Sequence, residues 1–278
     1  MFWRVLMRIV NAKEIENAVC ALFKQAAVKL PRDVYNAMKA AQANEDSARA
    51  ASVLCKLCEN ARLAENSGVP ICQDTGLIVL YITLPPEIPY SAELFEAAEE
   101  GVRRATVSVP LRPNAVNPLS RKNSGDNCGE GMPAIHIRPG EKFTVTVLPK
   151  GAGSENMSQI KMMLPSEVDK IPEFVADVAR NAGSRPCPPI VVGVGIGGTF
   201  DTAPALAKEA LLEPIDQMDD FEQEICDRIN ELGIGPMGLG GKTTALAVKV
   251  KRGACHTASL PVAVNIQCWC CRRRTVEL

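Results

Sequence analysis

The chain has 278 residues, enough for one large domain or two lobes around a shared core, and its 46% hydrophobic and 23% charged content is that of an ordinary globular protein. Its 31 lysines and arginines nearly balance 32 aspartates and glutamates, so no overall field directs it toward nucleic acid or an anionic membrane, and neither is expected as a partner. Eleven cysteines, an odd number with no secretory signal ahead of them, argue against a disulfide framework and for reduced thiols in the cytoplasm, some of them metal ligands.

In chain order, MFWRVLMRIV is apolar but interrupted by Arg4 and Arg8, with no cleavage site after it; residues 1–6 read as a loose extension and Met7 as the natural start. No apolar run approaches membrane-spanning length. Ile15, Ala18, Val19, Leu22 and Ala26 recur at helical spacing up to Pro31. Asp33 is placed to cap a second helix, and a third runs from about Asp46 to Asn66, ending at Gly68. Gly76 to Leu84 reads as a buried strand closed by two prolines, and Ser91 as the N-cap of a helix reaching Thr106. A loop-rich stretch from Pro110 to Pro133 leads into a hairpin: AIHI, a turn at Pro139-Gly140, then FTVTVL with Phe143, Val145 and Val147 on one face. Beyond the glycine loop Gly151-Ala152-Gly153, helices fill Ser166 to Ala182. The strand PIVV, a helix from Ala203 to Leu212 and an amphipathic helix using Phe221, Ile225 and Leu232 follow. TTALAVKV and PVAVNIQC are β-rich, and Arg272, Arg273 and Arg274 read as a solvated end. The mixture of blocks predicts an α+β fold, a helical N-terminal segment followed by mixed α/β lobes.

Two glycine motifs are decoys. Gly193, Gly195 and Gly198 have the G-x-G-x-x-G spacing of a dinucleotide loop, but Thr199-Phe200-Asp201 separates them from the helix and no second parallel strand with an acidic end follows. GIGPMGLGGKTT resembles a Walker A loop, yet Pro236 stands where its first glycine belongs and Lys242 leads into β-type sequence. An NAD-dependent oxidoreductase is therefore the remoter functional alternative. Cys55 and Cys58 form a C-x-x-C inside a helix, where core filling is the simpler role, as for Cys20 and Cys226.

Three other cysteines lie at element ends: Cys72 in PICQDTG, Cys187 in RPCPP and Cys268 closing PVAVNIQC. Spacing alone does not establish that they converge, and ordinary burial accounts for any one of them.

At these residues the chain resembles the α part of the class I, iron–sulfur fumarate hydratase and L-tartrate dehydratase family. The resemblance is carried in order by PICQDTG, RKNSGDN (Arg121 to Asn127), KGAGSENMS (Lys150 to Ser158), CPPIVVGVGIGGTFD, LGIGPMGLGG and HTASLPVAVNIQC. It implies one α-type domain over residues 1–278, in two lobes around a cluster-binding site, with the glycine turn after Cys187 serving the fold. It also implies a [4Fe–4S] cluster held by Cys72, Cys187 and Cys268. Three thiolates would leave one iron open as a Lewis acid for a substrate hydroxyl.

The resemblance further makes Asp74 and His256 the catalytic candidates, and Gln73, Arg121 and Gly153 the substrate-binding ones. The implied reaction interconverts fumarate and L-malate, small dicarboxylates; L(+)-tartrate dehydration is the close alternative. In the family a second domain or a β subunit supplies further arginine, threonine and lysine residues, and this chain stops soon after Cys268. A partner β subunit that completes the active site, in an α2β2 assembly, is therefore expected. Two departures stand out: Cys128 to Met132 resembles an insertion beside Arg121, and Cys255, Cys270 and Cys271 crowd the ligand segment.

Overall fold

The computed structural model describes residues 11–88 and 91–278, so the expected extension at residues 1–6 lies outside the described residues. It has an α+β fold with two four-stranded mixed sheets. The chain divides into two compact units, one holding the first helix, Leu63–Lys150 and Arg272–Leu278, the other Leu30–Arg62 and Gly151–Cys271. No helix among the described residues is long and apolar enough to cross a membrane.

The first unit packs helices α1 (Ala12–Val28) and α4 (Ala92–Ser108) with a sheet of strands β1 (Leu77–Leu84), β2 (Ala134–Pro139), β3 (Thr144–Lys150) and β8 (Arg274–Glu277). Val19 and Phe23 of α1, Ala98 and Val102 of α4, Ile78, Leu80 and Ile82 of β1, and Phe143, Val145 and Val147 on or beside β3 form its core. The alternation in FTVTVL is thus read correctly, but the hairpin is not. The strand order is β2-β1-β3-β8, with β1 parallel to β2 and antiparallel to β3. The almost wholly buried β1 takes the central place, because every strand edge it hides is matched by apolar side chains on both faces. The link from β2 to β3 must then cross the end of β1. It does so at Gly140, whose N–H donates to Leu84 O at 3.0 Å and where a Cβ would come within 2.1 Å of Thr83 Cγ2.

The arginine-rich end is not a solvated tail. Arg272 is 2% exposed, and β8 adds to the sheet edge beside β3, with Thr275 and Thr146 hydroxyls 2.8 Å apart. Ser91 is the extended residue before α4, without a side-chain cap bond.

In the second unit the order is β4 (Gln159–Met163), β7 (Leu260–Gln267), β5 (Ile190–Gly198), β6 (Ala245–Cys255). Helices α6 (Ile171–Ala182) and α8 (Asp220–Asn230) share a core with Ile190, Val192 and Val194 of β5 and Val262, Val264 and Ile266 of β7. The other residues of β5 meet α7 (Thr202–Ala210). Here the expected glycine turn is corrected. Gly193 and Gly195 lie inside β5, and a Cβ on them would come within 2.0 and 2.1 Å of the carbonyl oxygens of Ala207 and Ala203. The glycines let a helix lie directly on the strand; they form no cradle of free amides for a pyrophosphate.

Helix α2 (Arg32–Asn44) begins after Pro31, so Asp33 is not its cap; its carboxylate accepts from the Ile215 N–H at 3.0 Å. Helix α3 (Ala48–Ser67) ends at Gly68, φ 64°, as expected. Gly151-Ala152-Gly153 is not a plain loop but enters α5 (Ala152–Glu155), a single turn. The Walker-like segment is a glycine-rich turn into β6, where the Lys242 N–H donates to Glu45 Oε2 at 2.8 Å and its ammonium pairs with Asp46.

Candidate active site

In the second unit, β5 and β7 run antiparallel with Val191 opposite Gln267, which sets the residues before β5 beside those after β7. Cys187 and Cys268 occupy those two positions. Cys187 has φ 55°, unusual for a residue with a Cβ, and its N–H donates to Ser184 O at 3.0 Å. The Trp269 N–H donates to Cys187 O at 3.2 Å, tying the two segments together. The Cys187 side chain is exposed and Cys268 half-buried, while Trp269, Cys270 and Cys271 are buried. Of the crowded cysteines, Cys268 alone is partly accessible at this end of the sheet.

The KGAGSENMS segment comes to the same end. The Ser154 hydroxyl bonds Gly151 O at 3.0 Å and lies 3.5 Å from Oε1 of the fully buried Gln267, the residue before Cys268. Gly153 stands against Arg185, two residues before Cys187; a Cβ on it would be 3.2 Å from Arg185 O. Gly153, Cys187 and Cys268 are therefore brought together.

His256 is not. It follows β6 and precedes β7, at the end of the sheet where Gly198 pairs with Cys255. The nine residues of β5 put that end about 25 Å from the cysteine end, at roughly 3.3 Å per residue. His256 is exposed, and its Nδ1 accepts from the Ala258 N–H at 3.1 Å. His256 lies twelve residues before Cys268 in sequence, and the eight residues of β7 separate the two along the sheet.

In the first unit, Cys72 lies in the loop before β1, half-buried, with the loop anchored by the Ile71 N–H on Ala27 O at 2.9 Å. Gln73 is exposed, and its Oε1 is 3.4 Å from Cys72 Sγ. The Asp74 N–H points at the same sulfur across 3.4 Å. Asp74 turns the chain into β1: its Oδ1 accepts from the Gly76 N–H at 2.9 Å and from Asn114 Nδ2 at 3.1 Å. The guanidinium of Arg272 donates to Asp74 O at 3.0 Å and Thr75 O at 3.4 Å.

Arg121 is exposed in a tight loop with φ 59°, its N–H on Asn117 O at 3.0 Å and its Nη1 3.5 Å from Pro118 O. Asn127, at the end of the same motif, is buried. Its Oδ1 accepts from the Asn114 N–H at 2.6 Å, and its Nδ2 reaches Thr106 Oγ1 at 3.2 Å and Arg112 O at 3.3 Å. Cys128 is buried in the first unit's core, and Gly129 and Met132 exchange backbone hydrogen bonds at 2.9 Å, so the insertion closes on itself as a tight turn. Asn114 has no place in the sequence reading, and Arg272 enters it only as part of a solvated end. The only signals are an asparagine inside an irregular segment and the first of three arginines ahead of the alternating tail TVEL.

Among the described residues, no three histidine, cysteine, aspartate or glutamate side chains converge as a single-ion site requires. Thiolates are the donors an iron–sulfur cube takes, and ligands on its different corners need not share one metal. Accessible thiols with main-chain N–H groups or paired segments around them fit such a group.

Residues 16–277 match the fumarate hydratase (Fumerase) family. The chain belongs to that family. It is 46% identical over 273 residues to the "Putative L(+)-tartrate dehydratase subunit alpha" of Methanocaldococcus jannaschii, covering 94% of this chain and 96% of that one. It is 36% identical over 287 residues to the "Putative fumarate hydratase class I" of Geobacillus stearothermophilus, covering 96% of this chain and 55% of that one. With the L(+)-tartrate dehydratase subunit alpha of Escherichia coli K12 it shares 31% over 260 residues, 90% of this chain and 86% of that one. Within the first unit Asp74 follows the half-buried Cys72 by two residues; within the second, a main-chain hydrogen bond joins the segments of Cys187 and Cys268.

Proposed function

We propose that this fumarate hydratase family chain is the α-type subunit of a hydro-lyase that interconverts fumarate and L-malate. It would act with a β-type subunit in an α2β2 assembly, in the reducing cytoplasm, where cysteines outside any disulfide persist. A [4Fe–4S] cluster would be held by Cys72, Cys187 and Cys268. When bound, its protein-free iron supplies a Lewis acid that polarises the substrate hydroxyl. The observation that carries this reading is the Trp269–Cys187 hydrogen bond, which pairs two cysteines from distant sequence with their thiols accessible.

The chain's own residues would do the remaining work. The Asp74 carboxylate would accept or return a proton at the hydroxyl or water, held in place by its two donors. Arg121 would grip a substrate carboxylate with its planar fork. Backbone N–H groups around Gly153 and the side chain of Gln73 would orient the dicarboxylate. His256 is given no step at the cysteine end of its own unit.

L(+)-tartrate dehydration is the second reading, favoured by the name of the relative that is 46% identical. The test is anaerobic co-expression with the cognate β-type subunit, followed by assays on malate, fumarate and L(+)-tartrate. Turnover of malate and fumarate well above tartrate supports the first reading, and the reverse order the second. A complex with an intact cluster that turns over none overturns both.

A further inference from the structure

We propose that Asn114 is the positioning residue for the Asp74 carboxylate, acting by hydrogen-bond donation. This rests on Asp74 serving the proposed hydration. The carboxylate can only accept, so the group of Asn114 that faces Oδ1 at 3.1 Å is its amide NH2. The same oxygen takes the Gly76 N–H at 2.9 Å, so one carboxylate oxygen carries two donors from fixed directions and the rotamer is defined.

Asn114 is itself held by the structure beneath it. Asn127 accepts from the Asn114 N–H at 2.6 Å and donates to Arg112 O at 3.3 Å, so two main-chain partners of opposite sense fix which way its amide points. Its Nδ2 also reaches Thr106 Oγ1 at 3.2 Å, on the last turn of α4, and Thr106 Oγ1 lies 2.9 Å from Val102 O. Asn127 is 2% exposed and holds φ 62°. A continuous chain of polar contacts thus runs from the helix core through Asn127 and Asn114 to Asp74. Asn127 and Thr106 are buried and Asn114 and Asp74 half-buried, and a satisfied polar network of this kind favours one geometry. The RKNSGDN motif then does two jobs: Arg121 at its start for substrate, Asn127 at its end for the support of Asp74.

The test compares Asn114→Ala with Asn114→Asp in the cluster-loaded αβ complex. Aspartate has the shape of asparagine but turns an acceptor toward Asp74, so donation and mere space-filling predict opposite rankings. For positioning, kcat falls about tenfold in N114A and on the order of 100-fold in N114D, with KM within about threefold of wild type. Iron content and unfolding midpoint stay at wild-type values. The amides of residues 72–77, followed by hydrogen exchange in the same complex, exchange faster in both variants and fastest in N114D. An N114D enzyme with kcat at or above that of N114A overturns the proposal. If the wild-type complex turns over none of the three dicarboxylates, the hydration reading falls. Amide exchange then decides alone, and unchanged protection at residues 72–77 in both variants overturns the positioning role.

Discussion

The main-chain N–H of Trp269 donates to the carbonyl of Cys187 across 3.2 Å, joining residues 82 positions apart at one end of the β5–β7 ladder. The ladder register delivers both segments to that end, where Cys187, at positive φ, has an exposed side chain. Cys255 is also exposed, but at the opposite end of the sheet. This separation gives a footprint. Cluster loading is expected to protect Cys72, Cys187 and Cys268 from iodoacetamide and to leave Cys255 as reactive as in the cluster-free chain, read by peptide mass spectrometry. Equal labelling of Cys187 with and without the cluster would remove it from the ligand set.

Gly193 and Gly195 are where α7 rests on β5. An alanine methyl at either would overlap a carbonyl oxygen of that helix, at 2.0 and 2.1 Å, so helix and strand must move apart. Overpacking of this kind costs about 1–3 kcal/mol, so Gly193→Ala and Gly195→Ala should each lose that much in a urea titration. Gly129 has nothing within 4 Å of its would-be Cβ, and Gly129→Ala should stay within about 0.5 kcal/mol of wild type. Equal stability of all three would mean that α7 does not lie against the strand as described.

Burial pushes the thiols of Cys226 and Cys128 up to about 12, with the charges of Asp227 and Asp126 adding to it. The folded state holds these protons more tightly than the unfolded chain, whose thiols titrate near 8.5. Their contribution to stability is therefore complete below about pH 8 and lost progressively as pH rises toward 12, because unfolding then releases protons. Two measurements check this. Neither thiol should be alkylated in the folded chain at pH 8, and stability should fall from pH 9 upward, less steeply in Cys226→Ala and Cys128→Ala. Ready alkylation at pH 8 would contradict the burial.

The sequence made local periodicity legible and left tertiary pairing hidden. The core faces of α1, β3 and α8 follow from spacing alone, since burying an apolar stripe is a local requirement. That β1 enters between β2 and β3 does not follow, because the turn residues Pro139 and Gly140 serve a crossing as well as a hairpin. The glycines of β5 carry a dinucleotide spacing for a packing reason, and only the helix above them shows which. For the site, the proposed ligand trio comes from resemblance alone. Its supports are not visible in the sequence, because Asn114 and Arg272 act through contacts 40 and nearly 200 residues distant. His256 illustrates how sequence distance and space differ: twelve residues before Cys268, it stands at the other end of β7.

Arg272 holds the Asp74 loop from the main-chain side. Its guanidinium is buried and donates to the carbonyls of Asp74 and Thr75, which face it just before β1 begins. Methionine at this position would fill much of the space but leave those carbonyls without the cation. An unsatisfied buried acceptor costs about 1–3 kcal/mol, so Arg272→Met should lose roughly 2–4 kcal/mol in chemical denaturation. Lysine keeps the charge but not the fork, and Arg272→Lys should fall between the two. Hydrogen exchange gives an independent check, since residues 72–77 should lose protection in the order wild type, lysine, methionine. A methionine variant as stable and as protected as wild type would show that the buried cation contributes nothing to the loop, and that burial of Arg272 reflects only the pairing of β8 with β3.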